Sequence, residues 1–238
     1  MIINRYSVEL VLLNEFKGDI LKLQLKSDEK VNFQRMMREI GKTRNVLKPK
    51  LFAECSITPD DQYQRVNMFW YRLFDEHYEV FLKLIKDNNV SSAFVLGRTL
   101  LELYARSFYM EFIEKPKQTE VKDYLGDDFK IKQFAQMCNE LDAFEHEDFG
   151  TFKKHFEQYK QTGLAIYSKL SFFSHGRGYA IKQFYKNPKA GYAFLTVAEA
   201  INIIHSMYLM LSLLLLFVQK KSEHIPLITD KFVNFQGL

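Results

Sequence analysis

Two short stretches of the chain hold the residues whose types and spacing could do chemistry. One is "YSKLSFFSHGRGYA", residues 167–180, where Tyr167, Ser171 and His175 recur at i, i+4 and i+8 and Ser174 adjoins the histidine. The other is "RTLLE", residues 98–102, where Arg98 and Glu102 are followed by Arg106 at the same interval. A spacing of four places each set on one face of a helix. Both stretches are otherwise apolar, and an unpaired charge inside a core costs several kcal/mol, roughly. Either the stripes are exposed, or they face one another across a polar pocket. A histidine beside an Arg–Glu pair and hydroxyls could serve as a general acid/base next to an anion site. The structural alternative is a helix-end histidine and an ordinary intrahelical ion pair.

The sequence around His175 carries a second signal. Between 158 and 198 there is no Asp or Glu, while Lys160, Lys169, Arg177, Lys182, Lys186 and Lys189 alternate with Tyr167, Tyr179, Phe184, Tyr185 and Tyr192. Cations interleaved with aromatic rings suit a phosphate backbone with unstacked bases. They would equally suit an acidic protein, or form a solvated loop. Overall the charge is only +4 over 238 residues.

These stripes need helices to carry them. With 10 Gly, 5 Pro and 47% hydrophobic residues, the chain reads as helices joined by short connections rather than as a sandwich or barrel. Helices are expected near 6–25, 27–47 (Ser27 as cap), 58–86 (Thr58 as cap, Pro59 in the first turn), 91–113, 129–143, 147–162 and 164–175. "TVAE", 196–199, matches a capping box and should start the last long helix, ending near Lys221. The expected fold is all-α, a multi-helix bundle at 58–221 with a helical N-terminal extension at 1–57 and a C-terminal tail at 222–238.

Residues 201–218 are apolar enough to raise a membrane span, but a central helix of a bundle is also apolar all round, and we expect a core helix and no membrane. Cys55 and Cys138 lie far apart without metal spacing, which points to a reducing, cytoplasmic setting. No Gly-rich phosphate loop, HExxH, CxxC or Gly-x-Ser-x-Gly elbow is present, so no cofactor or metal is expected. His146 and His155 lie among acids and are expected at exposed helix positions. Arg72 and His77, in "RLFDEH", are a second Arg–His pair whose faces only partly coincide.

The pairing of "RTLLE" with a later "YSKLSFFSH" resembles a group of bacterial all-helical proteins with an Arg-x-x-x-Glu helix and a later Tyr-x-x-x-Ser-x-x-x-His helix. These are similar to the broader HEPN-like superfamily, over roughly residues 65–220. The resemblance implies a helical bundle, often a homodimer, with a site between helices. It further implies either a metal-independent ribonuclease of a phage-defence or toxin–antitoxin system, or a noncatalytic module that binds protein or nucleic acid. In the active members an Arg-x(4–6)-His motif holds the scissile phosphate and assists attack by the 2′-hydroxyl. Here the formal match is Arg72–His77, which precedes the Arg98 helix. At the late position stand Ser171, His175 and Arg177 in another order.

On the catalytic reading His175, Arg98 and Glu102 are the catalytic residues. Arg177, Lys182, Tyr167, Ser171 and Ser174 contact an RNA substrate. On the noncatalytic reading the 177–192 segment contacts a protein partner or nucleic acid.

Overall fold

The computed structural model describes residues 23, 25–52, 61–125, 132–147, 150–152, 154–160, 170, 192 and 194–236. The chain is an all-α multi-helix bundle. Six α-helices are described: α1 (Ser27–Phe52), α2 (Gln62–Lys86), α3 (Val90–Tyr109), α4 (Phe134–Asp142), α5 (Phe194–Val218) and α6 (Ile225–Gln236).

The centre is α5. Its buried residues lie on every side, from Val197 through His205 and Tyr208 to Leu216, because α1, α2, α3 and α6 all pack on it. It is long and apolar enough to cross a membrane, yet 61% of its most apolar window is buried within the bundle. Each fully buried Leu, Ile or Phe in such a core contributes about 1.5–3 kcal/mol. α1 adds Met36, Ile40, Leu47 and Leu51 to the same core, and α6 adds Ile228.

α2 is amphipathic, burying Met68, Tyr71, Phe74, Tyr78, Phe81 and Ile85 at intervals of three and four. It begins at Gln62, where the Asp61 carboxylate accepts from the Gln64 amide at 2.9 Å. The cap is therefore Asp61 and not Thr58, because Asp61 is the residue whose side chain reaches an orphan N–H of the first turn. A turn at Asp87–Asn89 folds α3 back on α2, with Asn88 at φ 59°, a left-handed conformation that asparagine tolerates. The Asn88 side chain also holds the Leu23 backbone, accepting from its N–H and donating to its C=O.

α3 continues past Tyr109 as a π-helical turn, Met110–Glu114. Beyond it a 3₁₀ turn, Val121–Leu125, leads toward α4. The expected helix at 147–162 is not formed. In its place β1 (Glu145–His146) pairs with β2 (Gly150–Thr151), and a short 3₁₀ turn follows at Glu157–Tyr159. Gly150 at φ +67° and Lys154 at φ 65° break a helical path. Phe152 and Phe156 still reach the core, against Phe108 and Phe112 of the α3 rod. The last long helix starts at Phe194, before "TVAE", so Thr196 lies within its first turn and is not the cap. It ends at Val218, where Lys220 takes φ 57°.

Candidate functional site

The charged face of α3 runs along its solvent edge. Arg98 Nε lies 3.4 Å from Glu102 Oε1, and Arg106 Nη2 lies 3.6 Å from Glu102 Oε2. One carboxylate thus sits between two guanidinium groups. The three side chains are 25–26% exposed, open enough to meet a ligand and shielded enough to be ordered. The opposite face of the helix is buried, including Gly97, Leu100, Leu101, Tyr104 and Phe108, and this fixes the rotation that turns the stripe outward.

Of the other predicted site residues, Tyr167, Ser171, Ser174, His175, Arg177 and Lys182 lie outside the described residues. Leu170, within that stretch, is described and buried. Its methyls would lie 3.5 and 3.6 Å from a Cβ placed on Gly97, the neighbour of Arg98. These are ordinary van der Waals distances, so Leu170 packs against α3 at this point with room for a Cβ.

The second Arg–His pair does not converge. Arg72 and His77 are five positions apart, about 140° around a helix. The Arg72 guanidinium lies over the Phe52 ring, 5.7 Å from its centroid. His155 is not an exposed helix residue. It sits in a turn with Nε2 at 2.7 Å from the Tyr104 hydroxyl, and burial lowers its pKa. His146 falls in β1 rather than in a helix. Among the described residues, no group of His, Cys, Asp and Glu could hold a metal ion.

Beside the α3 stripe lies a second charged cluster. Lys132 Nζ donates to Glu140 at 2.7 Å and to the Tyr109 hydroxyl at 2.6 Å, and Lys117 reaches Glu140 at 3.3 Å. Burial opposes ionisation of Glu140, but the hydrogen bonds from Lys132, Tyr109 and Lys117 prevail and lower its pKa to about 2. Burial, with Glu140 and Glu114 alongside, raises the Tyr109 pKa. A cavity of about 340 Å³ lies between Glu102 and Arg106 of α3 and Lys132 with the start of α4. In the π-helical turn Glu111 is buried and paired with Lys115 at 2.7 Å.

Sequence reasoning missed a third polar set, deep between α1, α2 and α5. Arg44 of α1 donates to Asp75 of α2 at 2.9 Å and lies over the Tyr78 ring at 5.4 Å. Tyr78 pairs with His205 Nδ1 at 2.8 Å, and Tyr71 with Ser212 Oγ at 3.1 Å. His205 is fully buried, and burial, with the Arg44 charge nearby, pushes its pKa down to about 3. It is therefore neutral at ordinary pH. The available signal was the spacing Tyr71, Asp75, Tyr78, at i, i+4 and i+7 on α2.

What fold and site define is an all-α multi-helix bundle with a partly exposed Arg–Glu–Arg stripe. No protein-family model, no curated protein and no solved structure matches the chain. The HEPN resemblance rests on its own motifs.

Proposed function

We propose that the chain is a metal-independent endoribonuclease effector of a bacterial phage-defence or toxin–antitoxin system, acting in the cytoplasm as a homodimer. Arg98 holds the scissile phosphate and Glu102 fixes its guanidinium. His175 takes the proton of the 2′-hydroxyl as that oxygen attacks phosphorus. The P–O5′ bond breaks as the protonated His175 gives that proton to the 5′-oxygen, leaving a 2′,3′-cyclic phosphate and a 5′-hydroxyl. Arg177, Lys182, Tyr167, Ser171 and Ser174 contact the strand, and the acid-free stretch between 158 and 198 supplies its counter-charge.

The observation that carries this reading is the packing of Leu170 beside Gly97. It supports a neighbourly relation between the stretch that contains His175 and the helix that contains Arg98. The test is incubation of purified protein with RNA in EDTA, with mapping of the product ends. Cleavage leaving 2′,3′-cyclic phosphates is expected, reduced at least about 100-fold in His175→Ala. If His175→Ala cuts as well as the wild type, the assignment is wrong.

A noncatalytic binding module is the second reading. It is favoured by the pairing of Glu102 with both arginines of its own helix, a static patch that a protein partner or nucleic acid could meet. Binding of RNA or of a partner protein without any cleavage by the wild type would select it.

A further inference from the structure

We infer that the cavity between α3 and the start of α4 holds a second phosphate of the RNA strand, contacted by Arg106 and Lys132. The inference rests on the RNA-directed reading above and extends its binding site along α3. The cavity, about 340 Å³, is lined by Glu102, Arg106, Lys132, Gln133, Phe134 and Met137, among others. Its walls carry more cations than carboxylates. Glu102 is shared by Arg98 and Arg106, and Glu140 is shared by Lys132 and Lys117. Each carboxylate fixes the position of two cations but cancels the charge of one.

Arg106 is poised in a further way. Its contact with Glu102 at 3.6 Å is an ion pair longer than a hydrogen bond. Its Nε is buried and unpartnered among the described residues, so it does not face the cavity. The guanidinium is held by charge, and its Nη donors are the ones that meet a phosphate oxygen. Phe134 and Ala135, the first residues of α4, line the same cavity, so the positive end of that helix dipole lies at its wall. Arg98 and Arg106 are eight residues apart, about 12 Å along the helix axis. A strand with one phosphate at Arg98 can therefore run along α3 and place a later phosphate in the cavity.

The experiment is fluorescence anisotropy with a fluorescein-labelled, 2′-O-methyl RNA octamer, which lacks the attacking hydroxyl and stays intact. Affinity is measured across a salt series for the wild type, Arg106→Gln, Lys132→Gln and Arg106→Lys, with a melting curve for each. Each glutamine variant is expected to bind about 5- to 10-fold more weakly at low salt, with the log–log salt slope reduced by about 0.7. Arg106→Lys should restore the slope. Wild-type affinity and slope in both glutamine variants would overturn the inference and leave the RNA reading standing. Weaker binding with an unchanged slope and a lowered melting temperature would also overturn it, as an effect of folding. No binding by the wild type would overturn the inference and the RNA reading together.

Discussion

α2 and α3 are neighbouring helices, and each carries a polar ladder at helical spacing, with opposite fates. On α2, Tyr71, Asp75 and Tyr78 are sealed, and their partners come from afar: Arg44 on α1, His205 and Ser212 on α5. On α3, the ion pairs described for Arg98, Glu102 and Arg106 are all within the helix, and the side chains stay about one quarter exposed, 25–26%. A polar group drawn into a core must find its partner across the bundle, because burial without one costs about 1–3 kcal/mol. A stripe whose described ion pairs are local stays at the surface of the bundle. The sealed ladder therefore specifies how three helices dock, and the open one is where the proposed chemistry would sit.

The sealed ladder is most vulnerable at Asp75. Asp75→Ala leaves the Arg44 guanidinium, itself 14% exposed, without its principal carboxylate. The expected loss is about 3–5 kcal/mol, read as a lowered urea midpoint, with the proposed cleavage activity per folded molecule unchanged. Next comes Arg98→Gln, the reverse case. Stability should change by less than about 1 kcal/mol, since the pair it breaks is partly solvated. Cleavage should fall about 100-fold, or roughly 2.7 kcal/mol of barrier. If Asp75→Ala abolishes activity while folded, or Arg98→Gln unfolds the protein, the division between the two ladders is wrong.

His205 sharpens the sealed side through pH. Its pKa is about 3 in the folded chain, below the ordinary value of 6.5. The unfolded chain binds a proton that the folded chain refuses, so stability is fully present above about 6.5 and falls with acidification down to about pH 3. The slope is roughly 1.4 kcal/mol per pH unit. His205→Phe removes this contribution. At pH 7.5 it should cost about 1–3 kcal/mol, because the Tyr78 hydroxyl loses its partner. As pH falls toward about 5, the gap from wild type should close. Parallel stability curves for the two proteins would refute this account of the buried histidine.

The bundle was legible in the sequence wherever periodicity was strong. α2 shows its core face in Met68, Tyr71, Phe74, Tyr78 and Phe81, and α5 shows its centrality in an apolar run. Periodicity failed at 147–162, where Phe152 and Phe156 keep a helical interval but Gly150 and Lys154 take positive φ. The aromatic rings reach the core from turns instead. The open ladder was legible because its partners lie four residues apart. The sealed one was not, since Tyr78 and His205 are separated by 127 positions and no local pattern joins them. The cavity beside Arg106 was illegible for the same reason, because its far wall is built by α4 and Lys132.

The smallest expected effect tests the seam between the open ladder and the stretch that contains His175. Gly97 meets Leu170 and Phe81 at 3.5–3.6 Å from its would-be Cβ, ordinary van der Waals distances. Gly97→Ala therefore fits without displacing Leu170. It also replaces the residue that costs most backbone entropy in a helix, so a gain of about 0.5–1 kcal/mol is expected, with activity unchanged. Gly97→Leu has no such room. Its extra methylenes must push Leu170 away, at about 1–3 kcal/mol. If the Leu170 contact sets the distance between Arg98 and His175, that variant loses cleavage beyond its loss of folded protein. A Gly97→Leu protein that is destabilised yet cuts at the wild-type rate per folded molecule would show that the contact is packing alone.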